Sequence, residues 1–328
     1  MLLRTLKSNN SANLLIFPFI ALAFWLKDLL APYSYSYVQA ENHNVLFAPI
    51  FRLIENHPFW HVFISFLFVV VLGFIIQLIN DRYLFIRIRT KLPAALFVII
   101  LAGFTKMHTL HPVYFATFFL LFAISRLFGI FEKSKPYSAV FDVGFLIGIG
   151  SLFYFNMVIL IPAFLFGIMI IKRETRWREY VILLLGFILP FLFAAAYFFV
   201  VGRLEESLEL FSSNLITPVN HFRTNYPLHG YLTLLILFTI TGSFSILRQY
   251  DSKKVSSRKY FSVFFLIFVF SLISFAFIPA TSQEMLIILA VPVTYLISNL
   301  LVFMRSRFWS ELMFSLLLGI VIVMQFLL

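Results

Sequence analysis

A chain of 328 residues that is 62% hydrophobic and only 12% charged is too apolar for an ordinary soluble domain, where about half the residues are apolar and about a quarter charged. Its net charge of +11 does not point to nucleic acid, because Lys and Arg stand in short clusters between apolar runs rather than on one face. Cysteine is absent, which excludes disulfides, thiolate metal sites and a cysteine nucleophile.

The chain opens with Met1 to Asn13, carrying Arg4 and Lys7, before the apolar run Leu14 to Leu30. A signal peptide cleaved near Ala40 is one reading. The run is longer than the usual signal core, so an uncleaved anchor is the expectation. Further apolar stretches predict spans at 61–79, 93–107, 112–131, 139–154, 157–171, 180–201, 230–247, 261–278, 285–304 and 309–328, because only helices satisfy their own backbone in lipid. The stretch from Ala139 to Ile171 is too long for one ordinary span, and Asn156 at its midpoint predicts two short helices with a tight turn. The sequence therefore reads as an all-α integral membrane protein of about 11 transmembrane helices, forming a single domain over 1–328.

Orientation follows from the positive residues, which are retained on the cytoplasmic side. With the N-terminus cytoplasmic and the C-terminus outside, the outer loops receive Lys27, Arg52, Lys106, Arg203 and Arg223, and the inner loops the other 20 of the 25 Lys and Arg. All seven histidines, His43, His57, His61, His108, His111, His221 and His229, then fall outside. The two long outer loops, 31–60 and 202–230, are expected to carry short interfacial helices. Trp25, Trp60, Trp177 and Trp309 lie near predicted span ends, where indoles favour the interface.

Several constellations in these loops carry chemistry. The first loop gathers Glu41, His43, Arg52, Glu55, His57 and His61. A carboxylate at a membrane surface can serve as a general base when burial and nearby cations tune it; the plainer reading is a solvated loop. His57 with His61, and His108 with His111, have the i,i+4 and i,i+3 spacings of a shared helical face. Because His57 and His111 each precede proline, which disfavours helix there, no metal site is assigned. Arg203, Arg223 and Lys106 suit phosphate binding, or else pair with Glu205, Glu206 and Glu209. Asp142, just inside a span, reads as an N-terminal cap, Gly144, Gly148 and Gly150 as sites of close helix packing, and the cluster Lys172 to Glu179 as a basic anchor. There is no Walker motif, serine elbow or mid-membrane acidic ring.

The segments FDVGFLIGIGSLFYF and RETRWREYVILLLGFILPFLFAAAYFF resemble an uncharacterised polytopic inner-membrane protein family of Bacteroidota. The architecture also resembles the GT-C superfamily of lipid-linked glycosyltransferases, on four features. Glu41 occupies the place of the catalytic acid, Pro49 follows it, a basic stretch ends the span that begins at His61, and Pro162 follows the glycine-bearing helix. The match is incomplete: one Glu replaces the usual acidic pair, and no large soluble domain follows the helices. The GT-C resemblance implies an inner-membrane transferase acting on a polyprenyl-phosphate-linked sugar at the outer face. In it Glu41 is the base, Arg203, Arg223 and Lys106 hold the phosphate, and His57 and His108 line the site. Membrane lipids and envelope protein partners are expected, nucleic acid is not, and the residues name no cofactor. Two alternatives stand beside this reading: a non-catalytic assembly subunit of an envelope complex, and a lipid or small-molecule transporter.

Overall fold

The computed structural model describes residues 2–7, 13–35, 37, 44–84, 86, 90–131, 133, 135–172, 174–203, 205, 226–248, 254–277 and 283–327. Among them the helices are α1 (Leu2–Lys7), α2 (Asn13–Leu30), α3 (Ala48–Ile54), α4 (Pro58–Tyr83), α5 (Leu92–Ala102), α6 (Pro112–Phe128), α7 (Tyr137–Phe153), α8 (Ile161–Ile171), α9 (Trp177–Val201), α10 (Tyr226–Arg248), α11 (Val255–Phe277), α12 (Met285–Phe303) and α13 (Arg307–Leu327). Short 3-10 turns cover Thr105–Met107 and Phe155–Leu160. Every segment expected to span holds a helix. Among the described residues six helices are long and apolar enough to cross a membrane, namely α4 and α9 to α13, which is the build of a multi-pass membrane protein.

The helix α12 lies at the centre, buried from Met285 to Leu301. Its Tyr295 hydroxyl donates to the Ile76 carbonyl of α4 at 2.7 Å, and the ring stacks on Phe264 of α11. Beside it all 11 residues of α5 are buried, against α2, α4, α12 and α13. At 1.5 Å per residue α5 rises about 16 Å, roughly half the hydrocarbon thickness. The segment expected to span 93–107 therefore ends early, at Ala102. The irregular stretch that follows is tolerated because its carbonyls meet side chains of the surrounding protein. Tyr231 serves Ile100, Gln325 serves Ala102, Tyr33 serves Thr105, Tyr114 serves Met107, Ser65 serves His108 and Tyr37 serves Leu110.

The pair α7 and α9 packs backbone against backbone. A Cβ placed on Gly144 would fall 2.0 Å from the Leu183 carbonyl oxygen, and one on Gly186 2.4 Å from that of Phe141. Small residues at such crossings let dispersion and weak polar contacts replace the missing hydrophobic force between helices in lipid. As the split of 139–171 anticipates, α7 stops at Phe153, and a 3-10 turn containing Asn156 leads to α8, whose second residue is Pro162.

Two chemically distinct ends result. At the basic end, Lys7 meets Ser310, Lys91 meets Asp81, Lys172 meets Glu179 and Lys259 meets the Ile171 carbonyl. Histidines mark the opposite end. There Asp28 meets His108, Asn44 meets the Phe153 carbonyl, and Lys27 meets that of Gln325.

Candidate functional site at the histidine end

Two local rules shape a groove on this face. On α3, Ala48, Pro49 and Arg52 face one way, while Phe47 and Phe51, four residues apart, face the other and pack on Tyr37. At the end of α9, Gly202 adopts φ 73, the left-handed cap that glycine takes without strain. The chain there folds back, and the Arg203 N–H donates to the Phe198 carbonyl at 2.9 Å. Arg52 and Arg203 thereby line one groove of about 680 Å³, walled by Phe145, Ile149, Pro190 and Tyr197 among others. Apolar walls with two guanidiniums match an amphiphile with an anionic head.

Beside the groove lies a buried polar layer. The His111 side chain accepts from the Val113 N–H at the start of α6, and its ring packs against Tyr35, Tyr37 and Tyr154. Burial pulls this imidazole down to about 4, against a smaller opposing pull from the Glu284 carboxylate. Glu284 is fully buried and accepts from the Tyr35 hydroxyl, which also receives a bond from Gln283 at 3.2 Å. Tyr33, close to Asp28, is held well above the usual phenol range, by burial first and the carboxylate second.

The histidine pairs do not share helical faces. His57 is exposed and precedes α4, whereas His61 is inside α4 and buried. His108 follows the 3-10 turn, and His111 caps α6. His108 is buried rather than groove-lining: its Nδ1 lies 2.6 Å from Asp28 Oδ2, and its ring stacks on Trp25. Trp25 is accordingly a packed core residue that donates to Ser65, while Trp60, Trp177 and Trp309 are exposed at helix ends, as expected of interfacial indoles. Lys106 is exposed on its turn. Of the anticipated set, Arg203 lines the groove; Lys106, His57 and His108 are not among its described walls. Glu41 and Arg223, like His43 and His221, lie outside the described residues. Asp142 makes no cap and stands 3.5 Å from Arg126, because it sits a full turn inside α7.

Sequence reading missed two participants. Arg52 belonged to the first-loop cluster without a role, and the 48, 49, 52 spacing was the available signal. Asp28 was overlooked, although a carboxylate in the last turn of a span is costly unless it is used. Among the described residues no three His, Asp or Glu converge as a metal site.

A family model described as "Family of unknown function (DUF6427)" matches residues 43–327. No curated protein and no solved structure matches.

Proposed function

We propose, for a chain that belongs to the DUF6427 family of unknown function, that it binds a lipid with a phosphate head at its histidine end and transfers the group that lipid carries. The groove shared by Arg52 and Arg203 supports this reading most directly. Guanidiniums bind phosphate oxygens in a bidentate fork, and the apolar walls of α7 and α9 would accept the prenyl chain.

In this reading the basic end faces the cytoplasm of a bacterial inner membrane, the eleven helices α2 and α4 to α13 make a GT-C-like bundle, and the lineage is Bacteroidota. Glu41 is the general base. It takes the proton of an acceptor hydroxyl, whose oxygen attacks the sugar's anomeric carbon while the bond to the lipid phosphate breaks; Arg52 and Arg203 meet the charge left on the phosphate. Arg223, in the second loop, is the third cation assigned to the phosphate. Asn44, three residues after Glu41 in the chain, donates to the Phe153 carbonyl at 2.9 Å, beside the groove residue Leu152.

The test is transfer from a radiolabelled polyprenyl-phosphate sugar by purified protein in proteoliposomes. Glu41→Gln should abolish turnover while leaving lipid binding intact. Arg52→Ala with Arg203→Ala should weaken binding at least tenfold, the loss expected when charge-assisted hydrogen bonds worth about 1.5–3 kcal/mol are removed. Full turnover in Glu41→Gln would remove the base, and undiminished binding in the double variant would remove the groove.

A further inference from the structure

We propose a second lipid site at the basic end, which takes the phosphate head of an anionic phospholipid. A pocket of about 280 Å³ opens between the ends of α4 and α6 and the start of α7, and it is lined by Arg82, Arg126 and Lys133 with Tyr83, Ser125 and Phe122. Three cations converge there, and Asp142, 3.5 Å from Arg126, offsets one. Among the described residues the cations around the pocket thus outnumber the carboxylates.

Four lysines of the basic end are already engaged. Lys7, Lys91, Lys172 and Lys259 each give their ammonium to an acceptor within the protein. Arg82 instead stands 5.5 Å from the centre of the Tyr83 ring. That ring is itself fixed: its hydroxyl donates to the Ser125 carbonyl at 2.6 Å, and it meets Phe128 and Tyr260 edge-on. Leu84 ends α4 with φ 48, a left-handed conformation that a branched side chain adopts at some cost. Its N–H closes the helix on Asn80 at 2.8 Å, so α4 ends directly after Arg82 and Tyr83. The ring beside Arg82 is thus fixed before any ligand arrives, which lowers the ordering cost of binding.

A lipid, rather than a soluble phosphate, fits the wall chemistry. Phe122, 41% exposed, lies between the pocket and the apolar flank of α6, and it packs edge-on with Phe118 one turn earlier. A headgroup at the cations would therefore lay its acyl chains along α6. Basic pockets between helix ends bind anionic headgroups in this way.

The experiment uses the full chain in detergent, with native mass spectrometry after titration with phosphatidylglycerol, cardiolipin or phosphatidylcholine. Wild type should retain one anionic lipid at least tenfold more tightly than phosphatidylcholine. Arg82→Gln with Lys133→Gln should lose that preference while keeping its melting temperature in phosphatidylcholine. Arg52→Ala with Arg203→Ala should keep the preference, which separates this site from the groove at the other end. Retention unchanged in the Arg82 and Lys133 variant would overturn the proposal. So would full displacement of the lipid by millimolar inorganic phosphate, which would mark a site for free anions.

Discussion

The two ends of the bundle solve the problem of polar groups near lipid in opposite ways. At the basic end, charge meets charge: the buried Glu179 accepts from Lys172 and from the Arg176 N–H, closing the turn between α8 and α9. At the histidine end, neutral groups do most of the work. Tyrosine hydroxyls take up carbonyls of the irregular stretch that follows α5 after Ala102, and a neutral imidazole, His111, is packed among aromatic rings. An ion pair stabilises only while both partners are present, whereas a hydroxyl network loses one bond at a time. The basic end is therefore built for fixed geometry, and the histidine end leaves room for a groove whose charged groups are Arg52 and Arg203.

The largest expected effect tests the first half of this contrast. Glu179→Ala leaves the Lys172 ammonium without its counter-charge, at a cost of about 3–5 kcal/mol. Replacing both partners with apolar residues of similar volume should recover most of it. Denaturation midpoints of the two variants in detergent check this, and equal losses would show that the pair is not a unit.

The next effect is carried by pH. His111 has a folded value near 4 against an ordinary 6.5, so between those values the unfolded chain binds more protons than the folded one. Stability is then complete above pH 6.5 and falls as pH drops towards about 4, by up to roughly 3 kcal/mol. Melting temperatures between pH 7 and 4.5 should show that slope, and His111→Gln should flatten it. A slope unchanged in the variant would assign it elsewhere. The smallest effect is at Tyr37→Phe, which removes the hydroxyl serving the Leu110 carbonyl and should cost about 1 kcal/mol. Hydrogen exchange at residues 105–111 would report the loosening.

Much of the helix order was legible in the sequence, because a run of apolar residues in lipid has few other solutions. Asn156 marked the break between α7 and α8 correctly, and Gly144 marked a close crossing. The shortness of α5 was hidden. Nothing in LPAALFVIILAGF distinguishes a buried half-length helix from a span, since the distinction is made by Tyr33, Tyr37 and Gln325, which are distant in sequence. The site was legible only in part for the same reason. Charge bias gathered Arg52 and Arg203 on one side, but the turn of α3 and the left-handed Gly202 decide that they share a groove. Likewise, the spacing of His108 and His111 described a helix that the chain does not form.

The central claim, that Arg52 and Arg203 hold a lipid phosphate over the apolar wall of α7 and α9, is tested most directly by photo-crosslinking. A polyprenyl phosphate with a photoreactive group in its chain, added to the purified protein and mapped by peptide mass spectrometry, should label Phe193, Tyr197 and their neighbours on α9. The label should fall at least tenfold in Arg52→Ala with Arg203→Ala. Labelling spread evenly over the lipid-facing helices, or undiminished in that variant, would contradict it.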